Sequence, residues 1–175
     1  MRYFSGFSLQ NEQELFDFWL PNTQYSVVGF SYGAIKALNY TLNSNKRIDR
    51  LVLLSPAYFN DKDEVFKKAQ LLYFKKDPKK YIENFLKNVT YKSSIDLNRY
   101  LKSATANELK ELLYFKWNRE DLKKISSNGT IIEVILGEND KIINSKKALE
   151  FFKGVATTYY IKNANHILKE IENGY

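Results

Sequence analysis

The chain has 175 residues, 44% hydrophobic and 27% charged, which is enough for one domain with a real core. It has no cysteine, which excludes disulfides and thiolate metal sites, and its single histidine excludes zinc sites that need two or three. No window approaches the ~20 apolar residues of a membrane span, and Met1–Gly6 has no apolar core of a signal peptide, so a cytoplasmic protein is expected. The formal charge is +7, and residues 60–127 carry nearly all of it, with 16 Lys and Arg against 10 Asp and Glu. Such a segment is a solvated helical surface or a docking face for an acidic partner.

In chain order, Arg2-Tyr3-Phe4 reads as a first strand, followed by a loop with Gly6. An amphipathic helix is predicted over about Glu12–Leu20, with Leu15, Phe16 and Trp19 at helical spacing, ended by Pro21-Asn22. Tyr25-Ser26-Val27-Val28 reads as a buried strand, and Ala34–Leu42 as a helix. Leu51-Val52-Leu53-Leu54 is wholly apolar and fits a central parallel strand. From Asn60 to Ser127 the texture is helical, with breaks at Asp77-Pro78 and Thr90–Ser94 and a high density of aromatics. Thr130–Leu136 is a strand, Gly137-Glu138-Asn139-Asp140 the loop at its carboxyl end, Ser145–Lys153 a helix and Thr157–Ile161 the last strand. The pattern predicts one domain, 1–175, built as an open, mostly parallel α/β sheet of about five strands. A helical cap is inserted at about 60–127.

Gly29-Phe30-Ser31-Tyr32-Gly33 stands between a strand and a helix. Strand, G-x-S-x-G, helix is the nucleophile elbow of the α/β-hydrolases. The turn exposes the Ser31 hydroxyl at a helix N-terminus, where free N–H groups favour developing negative charge. Acyl transfer also needs a base and a carboxylate that orients it, in the chain order serine, acid, histidine. Asp140 follows one strand and His166, the only histidine, lies in the loop after the next, in Asn163-Ala164-Asn165-His166. Glu138 shares the acid loop at a poorer offset, and Asp49 precedes its strand at the wrong end of the sheet. An oxyanion hole needs two backbone N–H groups. Tyr32, directly after the nucleophile, supplies one, and Phe7, in the loop after the first strand, supplies the other.

With these pieces in place, Ser5-Gly6-Phe7-Ser8-Leu9-Gln10-Asn11-Glu12 is similar to the oxyanion loop of the pimeloyl-acyl carrier protein methyl ester esterases of biotin synthesis, most of all their short BioV-type branch. Met1–Gly33 resembles that branch throughout, as does the Ser145–Phe152 helix with its flanking loops. Lys67–Phe85, around Lys75-Lys76-Asp77-Pro78, is similar to its cap. The resemblance implies a cofactor-free serine carboxylesterase that hydrolyses the methyl ester of pimeloyl-acyl carrier protein to the free acid and methanol. The acidic carrier protein would be its partner. The aromatic cap would then line a slot for the methylene chain, and Lys67, Lys68, Lys75, Lys76, Lys79 and Lys80 would collectively dock the carrier. Against larger hydrolases, one strand–helix unit before the elbow is missing, an exposed sheet edge that would favour a homodimer. The triad alone also fits an acyl thioesterase or a short-chain carboxylesterase, because pocket shape decides between them. A non-catalytic acyl-carrier or nucleic-acid binder is disfavoured: the basic excess is modest and no nucleic-acid motif accompanies it.

Overall fold

The computed structural model describes residues 1–171. Five parallel strands form one sheet: β1 (Arg2–Phe4), β2 (Ser26–Phe30), β3 (Arg50–Leu54), β4 (Ile131–Gly137) and β5 (Thr157–Ile161). They lie side by side in chain order, β1-β2-β3-β4-β5, an order the sequence did not disclose. The register pairs Gly29 of β2 with Phe4 on one side and Leu53 on the other. The central strands are largely apolar because both faces are covered, as parallel sheets require, and their two charged residues, Arg50 and Glu133, pair with each other at 2.6 Å.

Alternation along the strands sends side chains into two cores. Val27, Leu51, Leu53, Val134 and Leu136 face α1 (Tyr32–Asn43), α5 (Arg119–Ser127) and α6 (Ser145–Phe152). Val28, Phe30, Val52, Leu54 and Ile135 face the other way, where Phe16, Val89, Leu97, Tyr100 and Ile167 cover them. Fully burying a side chain of this size is worth ~1.5–3 kcal/mol, so both layers hold the sheet.

The connection from β1 to β2 carries the expected first helix, but Glu12–Trp19 is a 3₁₀ segment, kinked at Phe16. Its start explains the departure: Asn11 lies in the left-handed region and its side chain caps nothing. Phe16 packs on Phe30 with ring centroids 4.7 Å apart, so this segment lies on the face opposite α1, α5 and α6. The strands advance across the sheet in one direction, so connections on opposite faces have opposite hands. The three helices on one face follow the right-handed rule, and β1–β2 is the left-handed exception.

The helical stretch between β3 and β4 divides in two. α2 (Glu64–Lys76), α3 (Pro78–Val89) and α4 (Ala106–Tyr114) sit over the carboxyl ends of the strands, where Phe74 and Phe85 pack on Phe7 at 6.2 and 5.5 Å. α5, by contrast, belongs to the sheet layer, with Leu122 and Ile125 in its core. The break between α2 and α3 falls where Asp77-Pro78 predicts it: Pro78 opens α3 and the Asp77 side chain accepts the Lys80 N–H. Among the described residues, no helix is long and apolar enough to cross a membrane.

Candidate active site

The elbow is built by close approach. A Cβ on Gly29 would come within 2.3 Å of the Gly33 carbonyl oxygen, and one on Gly33 within 2.0 Å of the Phe4 carbonyl oxygen. Only glycine allows the strand, the turn and α1 to touch there. Ser31, at the tip, has φ 53° and ψ −114°, a conformation unusual for an L-residue. It is held by its N–H to the Leu54 carbonyl (2.9 Å) and by its own carbonyl, which accepts from Ala57 N (3.1 Å).

Two loops bring the partners. After β4, Asp140 Oδ1 accepts the backbone N–H groups of Ile142 (2.7 Å) and Ile143 (3.1 Å), which leaves Oδ2 aimed at the histidine. After β5, the Asn165 amide ties its loop to the Tyr91 carbonyl and Ser93 Oγ at 3.2 and 3.1 Å. The loops bond each other through Asn139 N–H to the Ala164 carbonyl at 2.8 Å. Gly137 makes that contact possible, because a Cβ there would lie 2.3 Å from the Asn165 carbonyl oxygen.

The result is a continuous relay. His166 Nδ1 lies 2.6 Å from Asp140 Oδ2, and His166 Nε2 lies 2.9 Å from Ser31 Oγ. Both the histidine and the Asp140 carboxylate are fully buried, and Ser31, whose hydroxyl the elbow was expected to expose, is itself buried at 3% exposure beneath the surrounding loops and helices. With its proton on Nδ1, the imidazole offers the Nε2 lone pair to the serine hydroxyl. Glu138, the competing acid, is exposed and accepts from Asn163 N instead. Asp49 pairs with Arg47 on the surface.

The expected oxyanion donors are placed at the same end of the sheet. Tyr32 is the first residue of α1, so its N–H has no intrahelical acceptor. Phe7 is in the turn closed by Leu9 N–H to the Gly6 carbonyl (3.2 Å), and its own N–H is unused among the described residues. The Tyr32 side chain also matters, which the sequence did not signal. Its hydroxyl donates to Glu111 of α4 at 2.5 Å, tying the elbow to the helices above it. Burial and the Glu111 carboxylate push its pKa well above the usual phenol value.

Between α2, α3 and α4 lies a partly open cavity of about 570 Å³ lined by Phe59, Phe66, Tyr81, Phe85, Leu109 and Leu113, with Ile142 at one side; Ser31, Asp140 and His166 do not line it. The cavity and the relay share neighbours: Phe85 packs on Phe7, and Ile142 donates its N–H to Asp140. Lys76 and Lys80 also line it, and Lys79 lines a more open groove on the other side of α3.

The lysine cluster needs one correction. Lys68, Lys75, Lys76, Lys79 and Lys80 are exposed, but Lys67 is buried, 1% exposed, with Nζ 5.2 Å above the Tyr114 ring. It falls on the inward side of α2, facing α4, so it cannot meet a partner. Desolvation and then the nearby Lys116 ammonium lower its pKa.

No protein-family model matches this chain, and no curated protein does. Solved structures do. The esterase EaEST from Exiguobacterium antarcticum superposes with a TM-score of 0.63 at 17% identity, over 81% of this chain and 59% of that one. The naproxen esterase (carboxylesterase NP) of Bacillus subtilis gives 0.53 at 20% identity, over 82% and 53%. MenH from S. aureus gives 0.59 at 15% identity, over 95% and 87%. The chain thus spans a little over half the length of the first two. The strand order, the elbow and these superpositions agree, and the chain has the α/β-hydrolase fold in a minimal, five-stranded form.

Proposed function

We propose that this protein is a serine carboxylesterase whose substrate is the methyl ester of an acyl chain carried on acyl carrier protein, pimeloyl-acyl carrier protein methyl ester above all. The observation that carries the hydrolase reading is the buried relay Ser31–His166–Asp140, at 2.9 and 2.6 Å, with the serine on a strained elbow. Ser31 Oγ attacks the ester carbonyl as His166 Nε2 takes its proton. Asp140 holds the ring and stabilises the imidazolium. Tyr32 and Phe7 N–H groups receive the oxyanion, each such donor being worth ~10²–10³ in rate. The tetrahedral intermediate collapses, methanol leaves with the proton from His166, and a water activated by His166 frees the acid from Ser31. No step asks for a cofactor.

The substrate class is supported by the aromatic-lined cavity that shares Phe85 and Ile142 with the surroundings of the relay, which suits a flexible methylene chain, and by exposed Lys68, Lys75, Lys76, Lys79 and Lys80, which suit an acidic carrier. The esterases among the structural neighbours support the reaction type. The same relay serves an acyl thioesterase or a short-chain carboxylesterase, and comparing free with carrier-linked esters separates these readings.

The test is methanol release from pimeloyl-acyl carrier protein methyl ester by wild type and by Ser31→Ala. Turnover that disappears in the variant is the expected outcome, a loss of ~10⁴-fold or more. Wild-type hydrolysis of simple p-nitrophenyl esters without turnover of the carrier-linked ester would keep the hydrolase and discard the carrier substrate.

A further inference from the structure

Glu12, at the start of the 3₁₀ segment, is a carboxylate with no exposure at all, directly beneath the Ser5–Leu9 loop. Its Oε1 accepts the Gly6 N–H at 2.8 Å and the Tyr3 hydroxyl at 3.1 Å. Its Oε2 is buried and has no partner among the described residues. Taking a carboxylate out of water costs several kcal/mol, and an apolar side chain would fill the space without that cost. The Tyr3 phenol it holds is pushed far above its ordinary pKa by burial and by this carboxylate.

Besides the Tyr3 hydroxyl, the carboxylate grips the loop at one residue, Gly6. Glu12 holds the Gly6 N–H, and Leu9 N–H holds the Gly6 carbonyl at 3.2 Å. In a trans peptide the N–H points opposite to the C=O. The Leu9 bond to the Gly6 carbonyl therefore sets the direction of the Phe7 N–H on the same peptide plane, and the Glu12 bond holds the preceding Ser5–Gly6 peptide, so the two together fix the dihedral angles of Gly6 between them. Gly6 is also seated on Phe30, where a Cβ would come within 2.8 Å of the ring, and that ring lies 5.2 Å from the His166 imidazole. Ser8 completes the turn at φ 60°, a conformation that a free loop would readily leave.

We propose that Glu12 is the positioning residue of the second oxyanion donor: it locks Gly6 so that the Phe7 N–H stays aimed at the oxygen that becomes negative on attack by Ser31. It touches no substrate atom and acts only through the backbone of the turn. The inference rests on the reading of Ser31 as nucleophile.

The experiment uses the full chain and two readouts: the rate at which a fluorophosphonate labels Ser31, and kcat and KM on a methyl ester. Glu12→Gln keeps an acceptor oxygen for Gly6 and Tyr3. Glu12→Asp withdraws that oxygen by one methylene while keeping the charge, and Glu12→Leu removes it. The Gln variant is expected within threefold of wild type in both readouts. The Asp or Leu variant, whichever folds by its thermal unfolding midpoint, is expected to label ~10-fold or more slowly and to lose kcat with KM within twofold. Equal labelling rates in the Gln variant and in the folded Asp or Leu variant would overturn the proposal, as would a loss confined to KM. Failure of the wild type to label would instead overturn the hydrolase reading itself.

Discussion

Lys67 shows how a residue type can mislead when only its spacing is known. It stands among lysines at exposed positions of α2 and α3, yet its stem is packed inside and its ammonium sits over Tyr114. Burial disfavours the charged form, so its folded pKa lies below the unfolded value of ~10.4. The folded state therefore binds this proton less well than the unfolded state. The penalty is fully present below the folded pKa, and it shrinks as pH rises from there through the unfolded value. Lys67→Met is expected to raise stability at pH 7, because it removes the ammonium that desolvation disfavours and keeps an apolar stem in the same space. The advantage should narrow at pH 10. Urea unfolding at the two pH values measures both, and a variant less stable than wild type at pH 7 would show that the Tyr114 contact outweighs desolvation.

At the scale of elements, the relay depends on how closely the end of β4 meets the loop after β5. Gly137 has no side chain because the Asn165 carbonyl occupies that place, 2.3 Å from where a Cβ would be. Gly137→Ala forces the histidine loop away from the Asp140 loop. A displacement of about 1 Å at a catalytic pair costs ~10²-fold in rate. The variant should lose kcat by that order and ~1–3 kcal/mol of stability, read by steady-state kinetics and thermal unfolding. Wild-type kcat would mean that the two loops move together. The elements themselves were largely legible in the sequence. β1, β5 and the α2–α3 break fall where their patterns put them, because alternation, apolar runs and Asp-Pro act locally. The first helix stands where Leu15, Phe16 and Trp19 put it, but its 3₁₀ path and the kink at Phe16 are not written in that spacing. That Ser31, Asp140 and His166 come together was legible because the fold ties each to the end of a strand. Glu12, Asn165 and the Tyr32–Glu111 bond were not, since each works through a contact between segments distant in the chain or through a backbone group. The role of Lys67 was hidden because spacing alone does not say which side of α2 meets α4.

For the whole molecule, the left-handed passage from β1 to β2 has a consequence for cooperativity. β1 is three residues long, sits at the sheet edge and, among the described residues, pairs with β2 alone, and the segment that follows it lies across the far face of the sheet. Short edge elements with a single neighbour open at lower free energy than the body they border. The chain has two tryptophans: Trp19, on this segment, and Trp117, deep in the core on the other face. They are natural reporters of the two parts. In protein labelled with 5-fluorotryptophan, the Trp19 resonance and the proposed esterase activity should change together at a lower urea concentration than the Trp117 resonance. A single shared midpoint would mean that edge and body unfold as one unit. Separate midpoints would mean that the proposed activity is lost while the chain is still mostly folded, and that removing denaturant restores it by re-docking one strand rather than by refolding the chain.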